Sequence, residues 1–268
     1  MADEIHVIII EDDPFARNWM TLLTARDWRT KVMGDFDAPD KLGIFFKQNP
    51  LVKVDVIVVD TETSLGGDWI QQTFRAIQES RQSARILCTG IEANERTLRK
   101  LSDPVFVGYI LKGEIPYSIA WAINLTMQGM WVTTSKVQLL AAQKGIELPP
   151  SCTILDGHES PFRLTNERQA REARLAILFS MERHELADEL GIAEGWSYGK
   201  VRDYYIQMGL KEILTDDSDL EDYLAGENLI LSYLEEMKED YSGSGKTKWM
   251  ETMAFHLLTM PKVERINR

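Results

Sequence analysis

Four short apolar runs in the first half of the chain each stop at a residue with chemistry to offer. Val7–Ile10 runs into Glu11, Asp12 and Asp13, Val56–Val59 ends on Asp60, Ile86–Cys88 ends on Thr89, and Val105–Leu111 ends on Lys112. Runs this short and this continuous match strands buried on both faces, the habit of parallel sheets. Helical spacing fills the gaps. Pro14 suits a first helical turn, and Phe15, Trp19, Leu22 and Leu23 recur behind it. A second strand near Thr30–Gly34 comes next, then helices at about Pro39–Lys47, Asp68–Glu79, Asn94–Leu101 and Pro116–Met130. Five strands alternating with five helices predict an α/β doubly wound, five-stranded parallel sheet over residues 1–131.

Beyond Met130 the pattern changes. From Thr133 to Phe162 periodicity fades, with Pro149, Pro150 and the Gly157–Pro161 stretch as breakers, so residues 132–162 read as a partly ordered linker. Residues 163–215 read as an all-α domain that opens behind Thr165 and buries Ala170, Ala173, Ile177 and Leu178. An acidic break at Asp216–Asp219 leads into residues 216–268, an acidic extension with helical patterns at about Leu220–Tyr241 and Thr247–Met260. Met250, Met253, Leu257 and Met260 form an apolar stripe on the last of these.

A chain of 268 residues with 44% apolar composition is long enough for two folded domains. No apolar run approaches the roughly 20 residues that span a bilayer. The start lacks the basic and apolar regions of a secretory signal, and Cys88 and Cys152 give no disulfide framework. A cytoplasmic protein without membrane contact is expected. The net charge is −12, with the acidic excess heaviest after Asp216 and no strongly basic segment. That excludes binding polyanions by overall field alone, so any DNA contact must come from a local patch.

Open parallel sheets bind ligands outside the carboxyl ends of their strands. If the four runs are neighbours, Glu11, Asp12, Asp60, Thr89 and Lys112 meet there. Two carboxylates about 4 Å apart repel by about 4 kcal/mol at an effective dielectric near 20, so such a cluster calls for a cation. Hard oxygen ligands on Glu11, Asp12 and Asp60 suit magnesium, Mg2+, which keeps several waters and can also hold a phosphoryl oxygen. Asp60 then serves as a nucleophile that takes a phosphoryl group as an acyl phosphate, with Lys112 and Thr89 sharing its oxygens.

In these residues and their order, the chain over 5–131 resembles the response-regulator receiver domain. The resemblance implies Asp60 as phospho-acceptor, a magnesium site at Glu11, Asp12, Asp60 and the backbone carbonyl of Glu62, Thr89 and Tyr109 as switch residues, and Lys112 as the lysine of the site. It also implies a cognate histidine kinase as donor, and a protein that accepts a phosphoryl group rather than turning over substrate. Ser64 stands where many members carry proline. Residues 164–210 resemble the LuxR-type helix-turn-helix of NarL-like response regulators. The likeness rests on Glu185–Gly195, on Leu164 and Thr165, and on Met208, Gly209 and Leu210. It implies a recognition helix at Glu194–Tyr205 with Trp196, Ser197, Tyr198, Lys200 and Arg202 at DNA. Gly199 inside that helix, Trp196 and Ser197 in place of threonine and valine, and only two cations depart from the family. Two functions stay open: a phosphorylation-controlled transcription regulator that acts through DNA and dimerisation, or a phosphorylation-gated adaptor whose helix-turn-helix and tail bind protein. The stretch around Gly245, Lys246 and Thr247 lacks the earlier glycine and preceding strand of a phosphate loop, and no histidine has zinc-like partners.

Overall fold

The computed structural model describes residues 4–62, 68–157, 167–208, 210 and 246–265. Ser64, Leu164, Thr165, Gly209 and the expected helix Leu220–Tyr241 lie outside them. The chain divides into two compact units, one spanning Ala2–His158 with Pro261–Arg268, the other Glu159–Met260.

The first unit is built on one sheet. Its strands are β1 (Ile5–Ile10), β2 (Thr30–Phe36), β3 (Val56–Asp60), β4 (Arg85–Gly90), β5 (Phe106–Leu111), β6 (Trp131–Thr134), β7 (Cys152–Asp156) and β8 (Lys262–Arg265). They lie in the order β2-β1-β3-β4-β5-β6-β7-β8. All neighbours run parallel except β8, which is antiparallel to β7. Val7–Ile10 and Val56–Val59 are completely buried, as continuous apolar runs in the middle of a doubly covered sheet must be. The strand order reverses at β1 and β3, which opens a crevice at their carboxyl ends.

Helices α1 (Pro14–Arg26), α2 (Asp40–Gln48), α3 (Trp69–Glu79), α4 (Glu95–Leu98), α5 (Ile119–Met127) and α6 (Ser135–Gln143) connect the strands. Pro14 is the first residue of α1, where its missing N–H costs nothing. Asp68 caps α3 by accepting the Gln71 N–H at 3.3 Å.

The expected doubly wound sheet is present, but it has eight strands among the described residues rather than five. Residues 132–162 are not a linker throughout, because β6, α6 and β7 add a further strand–helix–strand repeat there. The reason is local. Strand β6 is only four residues long and half threonine, a weak apolar signal, yet Thr133 and Thr134 are fully buried. Thr134 Oγ1 accepts the Leu111 N–H at 3.2 Å, which binds the new strand to the old sheet. Pro149 and Pro150 fall in the connection before β7 and interrupt nothing. At the other end of the chain, residues 262–265 of the expected extension form β8, with Lys262, Glu264 and Arg265 exposed along a charged edge.

The second unit contains α7 (Glu167–Ile177), α8 (Arg183–Leu190), α9 (Glu194–Gln207) and α10 (Lys246–Thr259). Helix α8 ends on Gly191 with φ 64°, a left-handed turn that glycine adopts without strain. The Gly191 and Ile192 N–H groups close that turn on Asp188 O at 3.2 Å and Ala187 O at 3.0 Å. Helix α9 begins three residues later. Leu186 and Ala187 of α8 and Val201 and Tyr204 of α9 are buried, α10 buries Met253 and Leu257 of the expected stripe, and Met260 is buried just past its end. Among the described residues no helix is long and apolar enough to cross a membrane.

Candidate phosphoryl-acceptor site and helix-turn-helix

The ends of β1, β3, β4 and β5 bring the acidic crevice together. Glu11 follows β1 and Asp60 closes β3, and each is about 1% exposed. One carboxylate oxygen from each of Glu11, Asp12 and Asp60 lies within 4.8 Å of the others. The turn after β1 fixes the first two. Asp13 caps α1 through the Ala16 N–H at 2.8 Å, while its own N–H donates to Glu11 Oε1 at 3.2 Å. Arg17, paired with Asp35 at 3.3 Å, reaches back to the Glu11 carbonyl at 2.7 Å.

Lys112 enters from the end of β5, where its N–H donates to Gly90 O at 2.9 Å. Its ammonium donates to Glu11 Oε2 at 2.6 Å and stands 3.2 Å from Asp60 Oδ1. That ammonium is the charge partner of Asp60 Oδ1, which is buried and otherwise without a hydrogen-bond partner. Burial opposes the Lys112 ammonium, but the two carboxylates outweigh it and hold its pKa above the ordinary lysine value. Burial, with Glu11 beside it, pushes the Asp60 carboxyl up to about 7 against the pull of Lys112. An acid held this far from its ordinary range marks a crevice short of positive charge. Three hard oxygens and an orphaned carboxylate oxygen fit a divalent cation such as magnesium.

Thr89 is fully buried at the end of β4, with Oγ1 donating to Val59 O at 3.4 Å. Its carbonyl accepts both the N–H and the hydroxyl of Thr61, each at 2.9 Å. Tyr109 is completely buried, its hydroxyl donating to Glu92 O at 2.8 Å, and burial raises its pKa to about 12. The Glu62 side chain has a use that sequence reasoning missed. Its Oε2 accepts the Ile91 N–H at 3.0 Å and its Oε1 the Glu92 N–H at 2.8 Å. One carboxylate thereby straps the β3 end to the β4–α4 turn. Nothing in the sequence signals it, because the partners are backbone groups about thirty positions away.

In the helical unit the predicted surface residues separate. Trp196 is 72% and Tyr198 58% exposed, and Lys200 and Arg202 also face solvent. The Arg183 guanidinium lies 5.5 Å over the Tyr198 ring, a cation–π contact. Ser197 departs from expectation. It is fully buried, on the inward helix face that it shares with Val201 and Tyr204, and its hydroxyl donates to Glu194 O at 2.7 Å. It has no surface to offer a ligand. Tyr204 OH donates to the Glu172 carboxylate, tying α9 to α7. Burial opposes the Glu172 charge, but the Tyr204 and Arg168 contacts outweigh it and lower its pKa.

No protein-family model and no curated protein matches the chain. Among solved structures, the RcsB response regulator of Salmonella typhimurium is similar at 18% identity and TM-score 0.44, over 77% of this chain and 93% of that one. A complex of the two-component response regulator RcsB with DNA gives 18% identity and TM-score 0.45 over 77% and 93%. A LuxR-family two-component response regulator from Aurantimonas sp. SI85-9A1 gives 18% and TM-score 0.46 over 54% and 100%. Likeness at this level carries no functional conclusion, and the functional reading rests on this chain's own residues.

Proposed function

We propose that the chain is a NarL-like response regulator, with a receiver in residues 1–131 of the sheet unit and an effector in the helix-turn-helix at 163–215. The observation that carries this reading is the convergence of Glu11, Asp12 and Asp60 within 4.8 Å, with Lys112 against two of them. The donor is a phosphohistidine of a cognate histidine kinase. An Asp60 carboxylate oxygen attacks its phosphorus, the P–N bond breaks, and the departing imidazole keeps the electron pair and takes a proton from water. Asp60 then carries an acyl phosphate, without turnover of a separate substrate.

Glu11, Asp12, Asp60 and the Glu62 backbone carbonyl would hold magnesium, which supplies charge neutralisation to the transferring group. Lys112 keeps Glu11 and gives its Asp60 contact to a phosphoryl oxygen. The Thr89 hydroxyl, with only a long contact to Val59 O to give up, turns to another. Thr89 is tied to Thr61, and Tyr109 to Glu92, so this shift bears on the turn that Glu62 straps. A change there alters the surface used for dimerisation and effector release by population shift.

The effector is proposed to bind DNA through α9, with Lys200 and Arg202 at the backbone and Trp196 and Tyr198 at the groove. A second reading has its own support. Two large exposed aromatics with few cations are the composition of a protein-binding surface, so the unit would serve a phosphorylation-gated adaptor. One experiment tests both. The full chain is incubated with acetyl phosphate and magnesium, its intact mass is measured, and mobility shifts on DNA are run across a salt series. Uptake of one phosphoryl group together with altered, steeply salt-dependent DNA binding is expected. No uptake ends the response-regulator reading. Uptake without DNA binding in either state ends the transcriptional one in favour of the adaptor.

A further inference from the structure

An apolar cavity of about 130 Å3, open to solvent on one side, lies beside Lys112. It runs between α1 and the β5–α5 connection, walled by Trp19, Met20, Leu23, Ile110, Ile115 and Ile119. Lys112 and Thr89 line it as well, so two residues of the acidic site also form the wall of an apolar chamber. We propose that this cavity is a binding site for a small neutral apolar molecule, of the size of benzene or toluene, and that its occupancy tunes phosphoryl acceptance at Asp60. The second half rests on the phospho-acceptor reading; the first does not.

Size and lining identify the ligand class. The lining is almost wholly apolar, and an apolar space of this volume accommodates benzene, while water, which needs two to four polar partners, is poorly held there. The polar groups on the wall are already committed. Lys112 faces Glu11 at 2.6 Å and Asp60 at 3.2 Å. The Trp19 indole N–H donates to Pro116 O at 2.9 Å, and the Thr89 hydroxyl to Val59 O. A charged ligand would lose its hydration to a lining that is apolar apart from the Lys112 ammonium, itself held between Glu11 and Asp60, which selects against charge. Trp19 also meets Tyr117 edge to face at 5.9 Å between ring centres, so α1 and the β5–α5 connection form a clasp across the cavity. A molecule inside presses on that clasp and on the Lys112 stem. Lys112 must leave Asp60 to meet an incoming phosphoryl oxygen, so a change in its freedom changes the rate of transfer.

The test uses the full isotopically labelled chain with toluene as the probe. Amide and indole N–H resonances are followed in wild type and in Ala16→Leu, which places a larger side chain on the cavity wall outside the acidic machinery. Initial rates of phosphorylation by acetyl phosphate with magnesium are measured in parallel. Saturable shifts at the Trp19 indole, Thr89 and Lys112 are expected in wild type and lost in Ala16→Leu. The toluene-saturated rate should change by about fivefold or more in wild type alone. Absence of saturable shifts in wild type up to the solubility limit overturns the site, whatever the variant does. Equal shifts in both chains overturn the placement. Shifts without a rate change overturn the coupling. If neither chain is phosphorylated with or without toluene, the acceptor reading fails, while the resonances still decide the cavity.

Discussion

Replacing Asp60 by asparagine should stabilise the metal-free protein at alkaline pH, and the crevice sets the size of the effect. Burial and Glu11 disfavour the Asp60 charge more than Lys112 favours it, which raises its pKa from the ordinary 3.8 to about 7. A carboxyl that holds its proton more tightly when folded contributes stability that is complete below about pH 4. That contribution is lost as pH rises through about 7. At about 1.36 kcal/mol per pH unit, the full loss at pH 8 is about 4 kcal/mol. The asparagine side chain carries no charge to desolvate, and Lys112 keeps Glu11, so D60N should recover much of that loss. Urea midpoints of wild type and D60N, measured at pH 5 and pH 8 in a chelator and again with magnesium, provide the assay. Wild type should weaken from pH 5 to pH 8 and D60N should weaken less. Magnesium should restore wild type at pH 8 by binding the ionised crevice, and should leave D60N nearly unchanged. A D60N midpoint at or below wild type at pH 8 without magnesium would refute the electrostatic reasoning.

Three other contacts make predictions of their own. A Cβ on Gly108 would meet Val132 O at 2.4 Å and Leu87 Cδ1 at 2.9 Å, so Gly108→Ala must push β5 from β6; calorimetry should show a loss of about 1–3 kcal/mol. Tyr204→Phe removes a donor from the buried Glu172 carboxylate and leaves it with Arg168; a loss of about 1–3 kcal/mol should appear in unfolding of the helical unit and not of the sheet. If α9 contacts DNA, Lys200→Ala should weaken binding evenly across sequences and lower the salt slope by about one, whereas Ser197→Ala, buried at 0% exposure, should leave sequence preference unchanged; filter binding separates the two.

The acidic site was legible because each of its residues sits at the end of a strand whose apolar run announces it. Val56–Val59 could only be a buried strand, and that places Asp60 at the crevice mouth. Helix starts were legible where a cap or proline marked them, as at Pro14 and Asp68. Ends were harder. Helix α5 begins at Ile119 rather than Pro116, because Ile115–Ser118 forms a turn whose Ser118 N–H bonds Ile115 O at 3.1 Å. Helix α4 is one turn rather than the Asn94–Leu101 stretch, since Lys100 and Leu101 close onto Thr97 and Leu98 with shorter-range bonds. Strands β6 and β8 were invisible for opposite reasons. Trp131–Thr134 hides buried threonines in a polar-looking run, and Lys262–Arg265 is an exposed charged edge with little apolar content. Pairing partners far along the chain define both, and no local pattern carries that information. Ser197 shows the same limit in the second unit. The resemblance placed it at DNA in the recognition helix, while the helical phase it shares with Val201 and Tyr204 turned it inward.

The measurement that bears most directly on the central claim is peptide mapping of the full chain after incubation with acetyl phosphate, with magnesium and with a chelator. The convergence of Glu11, Asp12, Asp60 and Lys112 predicts one acyl phosphate, on the peptide containing Asp60, formed only when magnesium is present and absent from D60N. Phosphate on another residue, or equal labelling of Asp60 in the chelator, would contradict it.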